Sequence, residues 1–113
     1  MTGMMTVAEL FQAIDTDTPP VVIDVRREAA RLESGRTMAF ALRALPERAD
    51  VWAPSFAGCR TVVFCVHGHE VGRTCATILA REGSGAVFLQ GGFEAWLEAG
   101  YPTVPLLPGS AQG

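Results

Sequence analysis

The sequence contains no lysine. Its nine basic residues are all arginine, and they are scattered along 113 residues instead of clustering. Without a basic stripe there is no footprint for nucleic acid, and without a cationic run there is none for an anionic membrane surface. Long apolar runs are missing as well. The longest are strand-sized, far short of the roughly 20 residues that a membrane-spanning helix requires. The opening "MTGMMTVAEL" has no basic region followed by an apolar stretch, so no secretory leader is expected. Cysteine is scarce and odd in number: Cys59, Cys65 and Cys75. That argues against a disulfide framework and for a reducing, cytoplasmic setting. The net charge of -3 is mild, and no internal repeat is present. The length suits one domain. With 49% of residues apolar, that domain has enough material for a packed core.

Two runs dominate what is present. "VVIDV" (Val21 to Val25) and "CRTVVFCV" (Cys59 to Val66) are continuous, apolar and rich in β-branched residues. Such runs predict strands covered on both faces, as in parallel sheets. "AVFLQ" (Ala86 to Gln90) predicts a third strand, and a short one is expected near Met38 to Ala41. Helices are expected between them. Thr6 and Glu9 have capping-box spacing ahead of Val7, Leu10, Phe11 and Ile14. "RREAARLESG" ends at Gly35, and Pro46 suits the first turn of a weak helix. "EVGRTCATILAREG" places Val71, Cys75, Ile78 and Leu79 on one face. "FEAWLEAG" follows a turn at Gly91 and Gly92, with Phe93, Trp96 and Leu97 expected in the core. The proline- and glycine-rich "YPTVPLLPGSAQG" reads as a mostly loosely held tail, with the domain spanning 1–105 and the loose end 106–113. Alternating strands and helices predict an α/β fold: a mostly parallel sheet of about five strands with helices on both faces.

Chemistry gathers in "CVHGHEV", Cys65 to Val71. Ligands on parallel sheets bind outside the carboxyl ends of the strands, and Cys65 stands near such an end, just before a helix. A helix start favours a nearby anion through its dipole and free N–H groups. Gly68 lets the backbone curl so that several N–H groups converge, forming a nest for a thiolate, a persulfide or an oxyanion.

The strand-Cys-x-x-Gly-x-x-x-helix segment resembles the active-site loop of rhodanese-domain sulfurtransferases. "IDVRREAARLESG" resembles the Asp-Val-Arg segment of that family, and "FLQGGFEAWLEAGYP" its Gly-Gly-Phe-x-x-Trp signature. Together, in the family's order, they cover about Val21 to Pro102. The resemblance implies a single rhodanese-like domain and a sulfurtransferase. Cys65 would take a sulfane sulfur from a small donor (thiosulfate, polysulfide or a low-molecular-weight persulfide). It would then hold the sulfur as a persulfide and pass it to cyanide or to a thiol such as glutathione or a thioredoxin-like protein. Val66, His67, Gly68, His69, Glu70 and Val71 would form the cradle, and no metal or organic cofactor is implied. The loop departs from the family where Glu70 and Val71 replace Arg-Ser or Ser-Ser, and where Val66 and His67 replace basic residues. Gly35-Arg36-Thr37 stands in place of Gly-His-Ile. Two alternatives remain: a non-catalytic binding or redox-sensing module, and a phosphatase or arsenate reductase. The last needs a Cys-x5-Arg loop, but Val71 occupies the arginine's place and Arg73 comes two residues late.

The remaining candidates have plainer readings. His67 and His69 could be solvated, could draw in an anion as partial cations, or could form a Cys-x-His-x-His metal pattern with Cys65. Gly68 and the missing fourth ligand argue against metal. Cys75 is expected in the core, and Cys59 is expected to be structural or partly exposed. Asp24, in an apolar strand, must be paired, with Arg26 and Arg36 as candidates, as structural support for the strand ends.

Overall fold

Val22 and Ile23 are neighbours in sequence but belong to two different cores, because side chains on a strand alternate between faces. The computed structural model describes residues 3–106. Its main sheet has five strands: β1 (Gly3–Met5), β2 (Val21–Asp24), β4 (Ala41–Arg43), β5 (Arg60–Phe64) and β6 (Gly85–Leu89). They lie in the order β1-β6-β5-β2-β4, and every pairing is parallel. The central strands β2 and β5 are the two runs that read as continuous apolar sequence. They are continuous because helices cover both of their faces.

The helices are α1 (Val7–Ala13), α2 (Glu28–Ser34), α3 (Ala49–Trp52), α4 (Glu70–Arg81) and α5 (Gly92–Glu98). On one face Ala49, Ala53, Cys75, Ala76 and Leu79 pack against Ile23, Val63 and Phe88. On the other, Leu10, Phe93 and Trp96 pack against Val22, Val62, Phe64 and Leu89. The capping box at Thr6 is formed as its spacing predicts: the hydroxyl accepts from the Glu9 N–H, and the Glu9 carboxylate accepts from the Thr6 N–H. Gly35 ends α2 at φ +69°, a left-handed position that suits glycine.

Four local expectations change. β1 is a strand at the sheet edge where none was expected. The predicted strand at Met38–Ala41 lies later, at Ala41–Arg43, while Met38 fills the core from a loop. Leu97, expected inside, is exposed, whereas Phe93 and Trp96 are buried. Residues 101–106, in a stretch that read as mostly loose although 101–105 fell within the expected domain, are tied down. The buried Trp96 indole N–H needs an acceptor and donates to the Pro102 carbonyl at 2.9 Å. Arg36 donates to the Thr103 hydroxyl and carbonyl. A short antiparallel ribbon joins β3 (Arg36–Thr37) to β7 (Val104–Pro105), and the Leu106 N–H donates to the Gly35 carbonyl. The rest of the expected tail, 107–113, lies outside the described residues. Among the described residues, no helix is long and apolar enough to cross a membrane.

Candidate active site

Because the five strands are parallel, their carboxyl ends share one edge of the sheet, and four connections meet there: 25–27 after β2, 44–47 after β4, 65–69 after β5 and 90–91 after β6. Cys65 follows β5 directly. It is only 6% exposed, and it sits at the floor of a cleft of about 310 Å³ whose walls include Arg27, Val66, His69, Glu70 and Val71.

Two backbone contacts shape the loop. The Cys65 and Val66 carbonyls accept from the Phe93 and Glu94 N–H groups at 2.8 and 3.0 Å, so they cap the first turn of α5. Gly68 and Gly92 make that approach possible. Gly68 has φ +72°, and a Cβ there would stand 2.5 Å from the Gly91 nitrogen. A Cβ on Gly92, at φ +62°, would stand 2.5 Å from the Cys65 carbonyl oxygen. Both positions therefore require glycine. Among the described residues, the N–H groups of Val66 to Val71 donate to no backbone carbonyl. With the Cys65 and Val66 carbonyls taken up by α5 and the N–H groups of Val66 to Val71 donating to no backbone carbonyl, the loop has the makings of an anion nest.

Gly72 completes this surface and escaped the sequence reading. It lies in the first turn of α4, and a Cβ there would meet the Cys65 Sγ at 3.3 Å. The sulfur therefore rests against the bare backbone at the amino end of a 12-residue helix. The signal was available: glycine is a poor helix former, and its presence in a first turn calls for a packing reason.

The buried Asp24 behind the site is held as its apolar strand requires. Its Oδ1 accepts from the Arg26 N–H and Nε, both at 3.0 Å, and its Oδ2 from Arg26 Nη2 at 2.8 Å. Arg36, the other candidate partner, makes no such pair. Its guanidinium goes to Thr103, and only its carbonyl enters the network, accepting from Arg26 Nη2 at 2.8 Å. Sequence reading missed Arg31 and Arg43, which stand 3.6 and 3.8 Å from the Asp24 carboxylate. It also missed Glu28, which accepts from Arg43 Nη2 at 3.1 Å. Arg26 lies over the Phe93 ring, 4.3 Å from its centroid, which joins the end of β2 to the start of α5.

His67 and His69 are both exposed, with ring centroids 6.1 Å apart. His67 Nδ1 stands 3.7 Å from Glu94 Oε2, an acidic neighbour that the loop sequence gave no means of anticipating. Among the described residues, no group of three or more His, Cys, Asp or Glu side chains is arranged to hold a metal ion. Glu70, the first residue of α4, is exposed and suits the positive end of the helix dipole. Arg73 lies over the Phe88 ring, 5.1 Å from its centroid, and lines neither cleft beside the loop.

Cys75 packs in the core, 1% exposed. Burial, with Cys65 and Glu47 adding like charge, pushes its thiol up to about 11. It therefore stays protonated at neutral pH, and protonated thiols are poor nucleophiles. In native protein at about pH 8, iodoacetamide should label Cys75 far more slowly than in urea-unfolded protein, and the native rate should climb only as pH nears 11. Peptide mapping after timed labelling reads both rates. Equal rates in native and unfolded protein would mean the thiol is neither buried nor protonated as described.

No family model matches the sequence. No curated protein matches it either. In three dimensions the chain is similar to a rhodanese-related protein from Thermoplasma volcanium, with a TM-score of 0.76 and 23% identity over 90% of this chain and 97% of that one. It is similar to a thiosulfate sulfurtransferase from Pseudomonas aeruginosa, at TM-score 0.74 and 21% identity, over 93% of this chain and 20% of that longer one. A Rhodopseudomonas palustris protein described as a possible tyrosine phosphatase is similar at TM-score 0.73 and 21% identity, over 89% of this chain and 83% of that one. The five-stranded parallel sheet, the helices on both of its faces and these likenesses agree: the chain has the rhodanese-like fold.

Proposed function

We propose that the protein is a sulfurtransferase working through a Cys65 persulfide. The observation that carries this reading is the setting of Cys65. The thiol sits at the carboxyl end of a central strand, against the bare backbone of Gly72, within a loop whose N–H groups are free. In the first step the Cys65 thiolate attacks the outer sulfur of a donor. The donor's S–S bond breaks, and sulfite or a thiolate leaves with the electron pair. In the second step a nucleophile attacks the outer sulfur of the persulfide, and the Cys65 thiolate leaves. Free N–H groups that stabilise the sulfur anion supply the electrostatic part of such catalysis. No metal or organic cofactor takes part. Acceptors of the proposed kind are cyanide, glutathione or a thioredoxin-like dithiol, and the cytoplasm is the setting in which such thiols stay reduced.

Phosphate or arsenate chemistry has less support. A tetrahedral oxyanion calls for a bidentate guanidinium in the loop. Val71 holds that place, and Arg73 is engaged with Phe88.

The test is intact mass after incubation with thiosulfate, polysulfide and glutathione persulfide in turn. At least one donor should add a single sulfur that a reducing agent removes. If none of the three adds sulfur, the reading fails.

A further inference from the structure

The cleft at Cys65 has an unusual balance of available charge. Arg26, Arg31 and Arg43 surround the buried Asp24, with Glu28 bound to two of them, so their charge is spent inside the fold. Glu94 stands beside His67. Of the side chains that line the Cys65 cleft itself, two arginine or carboxylate groups remain. Arg27, at the start of α2, and Glu70, at the start of α4, are both exposed, and neither side chain has a hydrogen bond or ion pair among the described residues. Both line the Cys65 cleft, and both also line an adjoining cleft of about 280 Å³, to which Glu47 adds a second carboxylate. Among the described residues they make no ion pair with each other, though they share both clefts.

From this arrangement we infer that Arg27 and Glu70 select a small sulfur carrier of amino-acid type, bearing both a carboxylate and an ammonium group. The inference rests on the sulfurtransferase reading and names the donor class. A thiosulfate dianion meets Arg27 against Glu70 in the Cys65 cleft, with Glu47 a further carboxylate in the adjoining one, so repulsion opposes attraction. A zwitterionic persulfide satisfies both groups: its carboxylate faces Arg27, its ammonium faces Glu70, and its outer sulfur reaches Cys65. Guanidinium–carboxylate contact is directional and suits orientation as well as attraction. The transfer balances without an added oxidant or reductant. The Cys65 thiolate bonds to the outer sulfur of R–S–SH, the S–S bond breaks, RS⁻ leaves with the electron pair, and Cys65 becomes the persulfide.

The experiment compares four persulfides: ethyl (uncharged skeleton), N-acetylcysteine (carboxylate only), cysteamine (ammonium only) and cysteine (both). Relative to ethyl persulfide, Arg27→Gln should lower kcat/KM for the carboxylate-bearing pair about fivefold, and Glu70→Gln should do the same for the ammonium-bearing pair, the scale of a partly exposed charge contact. Glu70→Gln should raise kcat/KM for thiosulfate. Every shift should shrink as salt rises. Arg81→Gln, an equal charge change in the last turn of α4, should leave the ranking of donors intact. A second readout needs no sulfur transfer. The rate ratio of Cys65 alkylation by iodoacetate over iodoacetamide should fall in Arg27→Gln, and that of bromoethylamine over iodoacetamide should fall in Glu70→Gln. If all four persulfides respond alike to both substitutions, the selectivity is refuted while the sulfurtransferase reading stands. If no persulfide loads Cys65, both fall, whatever the alkylation ratios show.

Discussion

Cys65→Ser protein is expected to gain no labile sulfur from any donor that loads the wild type. A serine hydroxyl has nearly the shape of the thiol but cannot form a persulfide under these conditions, so the loss should be complete and not partial. The other two cysteines are the internal controls. Cys75 is buried and its thiol is held protonated, up to about 11, by that burial and by Cys65 and Glu47. Cys59 lies before β5, at the opposite end of the strand from Cys65. Cys59→Ser and Cys75→Ser should therefore keep the one-sulfur gain. Intact mass and release of thiocyanate by cyanide measure the same sulfur by independent chemistry. A Cys65→Ser protein that still yields thiocyanate in proportion to donor exposure would place the transfer elsewhere and end the proposed mechanism.

The loop around Cys65 is held in place from behind. Its carbonyls cap α5, and two glycines allow backbones to approach where any Cβ would collide. This division of the peptide groups, the Cys65 and Val66 carbonyls toward α5 and the following N–H groups without a backbone acceptor, fixes the segment and suits the anion cradle proposed for it. It also accounts for the Gly-Gly-Phe stretch. Gly92 closes on the Cys65 carbonyl, and Phe93 supplies both an N–H to that carbonyl and the ring beneath Arg26.

Much of the architecture was legible because its signals are local. β2 and β5 announce themselves as β-branched runs, and α1 by its capping box. The misses share a different cause. β1 is three residues, Gly-Met-Met, with no β-branched side chain. It is a strand only because β6 offers an unpaired edge. β7 holds one valine and a proline, and it pairs through a contact nearly seventy positions away in the chain. Met38 looks like part of a strand but fills the core from a loop, which displaces β4. In the candidate site, the placing of Cys65 and Gly68 at the end of β5 could be read from spacing, and the pairing of Asp24 with Arg26 from the need to pair a buried charge. Arg31 and Arg43 reach Asp24 only after folding, so their spacing carried no signal for it. Arg27 is adjacent to Arg26, yet one faces the cleft and the other the core, a distinction that two consecutive arginines do not reveal.

Asp24→Asn is expected to destabilise the fold by about 3 kcal/mol or more, the scale seen when one partner of a buried ion pair is removed. The carboxylate is 1% exposed and is the anion shared by three guanidiniums. Asparagine keeps one carbonyl oxygen but loses the charge and turns an acceptor into an N–H₂ donor facing donors. Arg26, also 1% exposed, would then be a buried cation with no anion beside it. Arg31 is more vulnerable still. Its Nε is buried without a hydrogen-bond partner among the described residues, and its nearest carboxylate after Asp24 belongs to Glu28, at 3.6 Å. Arg43→Met is the contrasting variant. That side chain is 20% exposed, so losing it should weaken the fold less than Asp24→Asn does. With a urea dependence of about 1–3 kcal/mol per molar for a small domain, the Asp24→Asn midpoint should fall by roughly 1 M or more. Because Arg26 also ties the end of β2 to Phe93 and to the Arg36 carbonyl, the folded fraction of Asp24→Asn should load less sulfur on Cys65 than wild type does. A midpoint within a few tenths molar of wild type would show that the arginines find solvent or other partners once the carboxylate is gone. Asp24 would then not be the anchor of the strand ends.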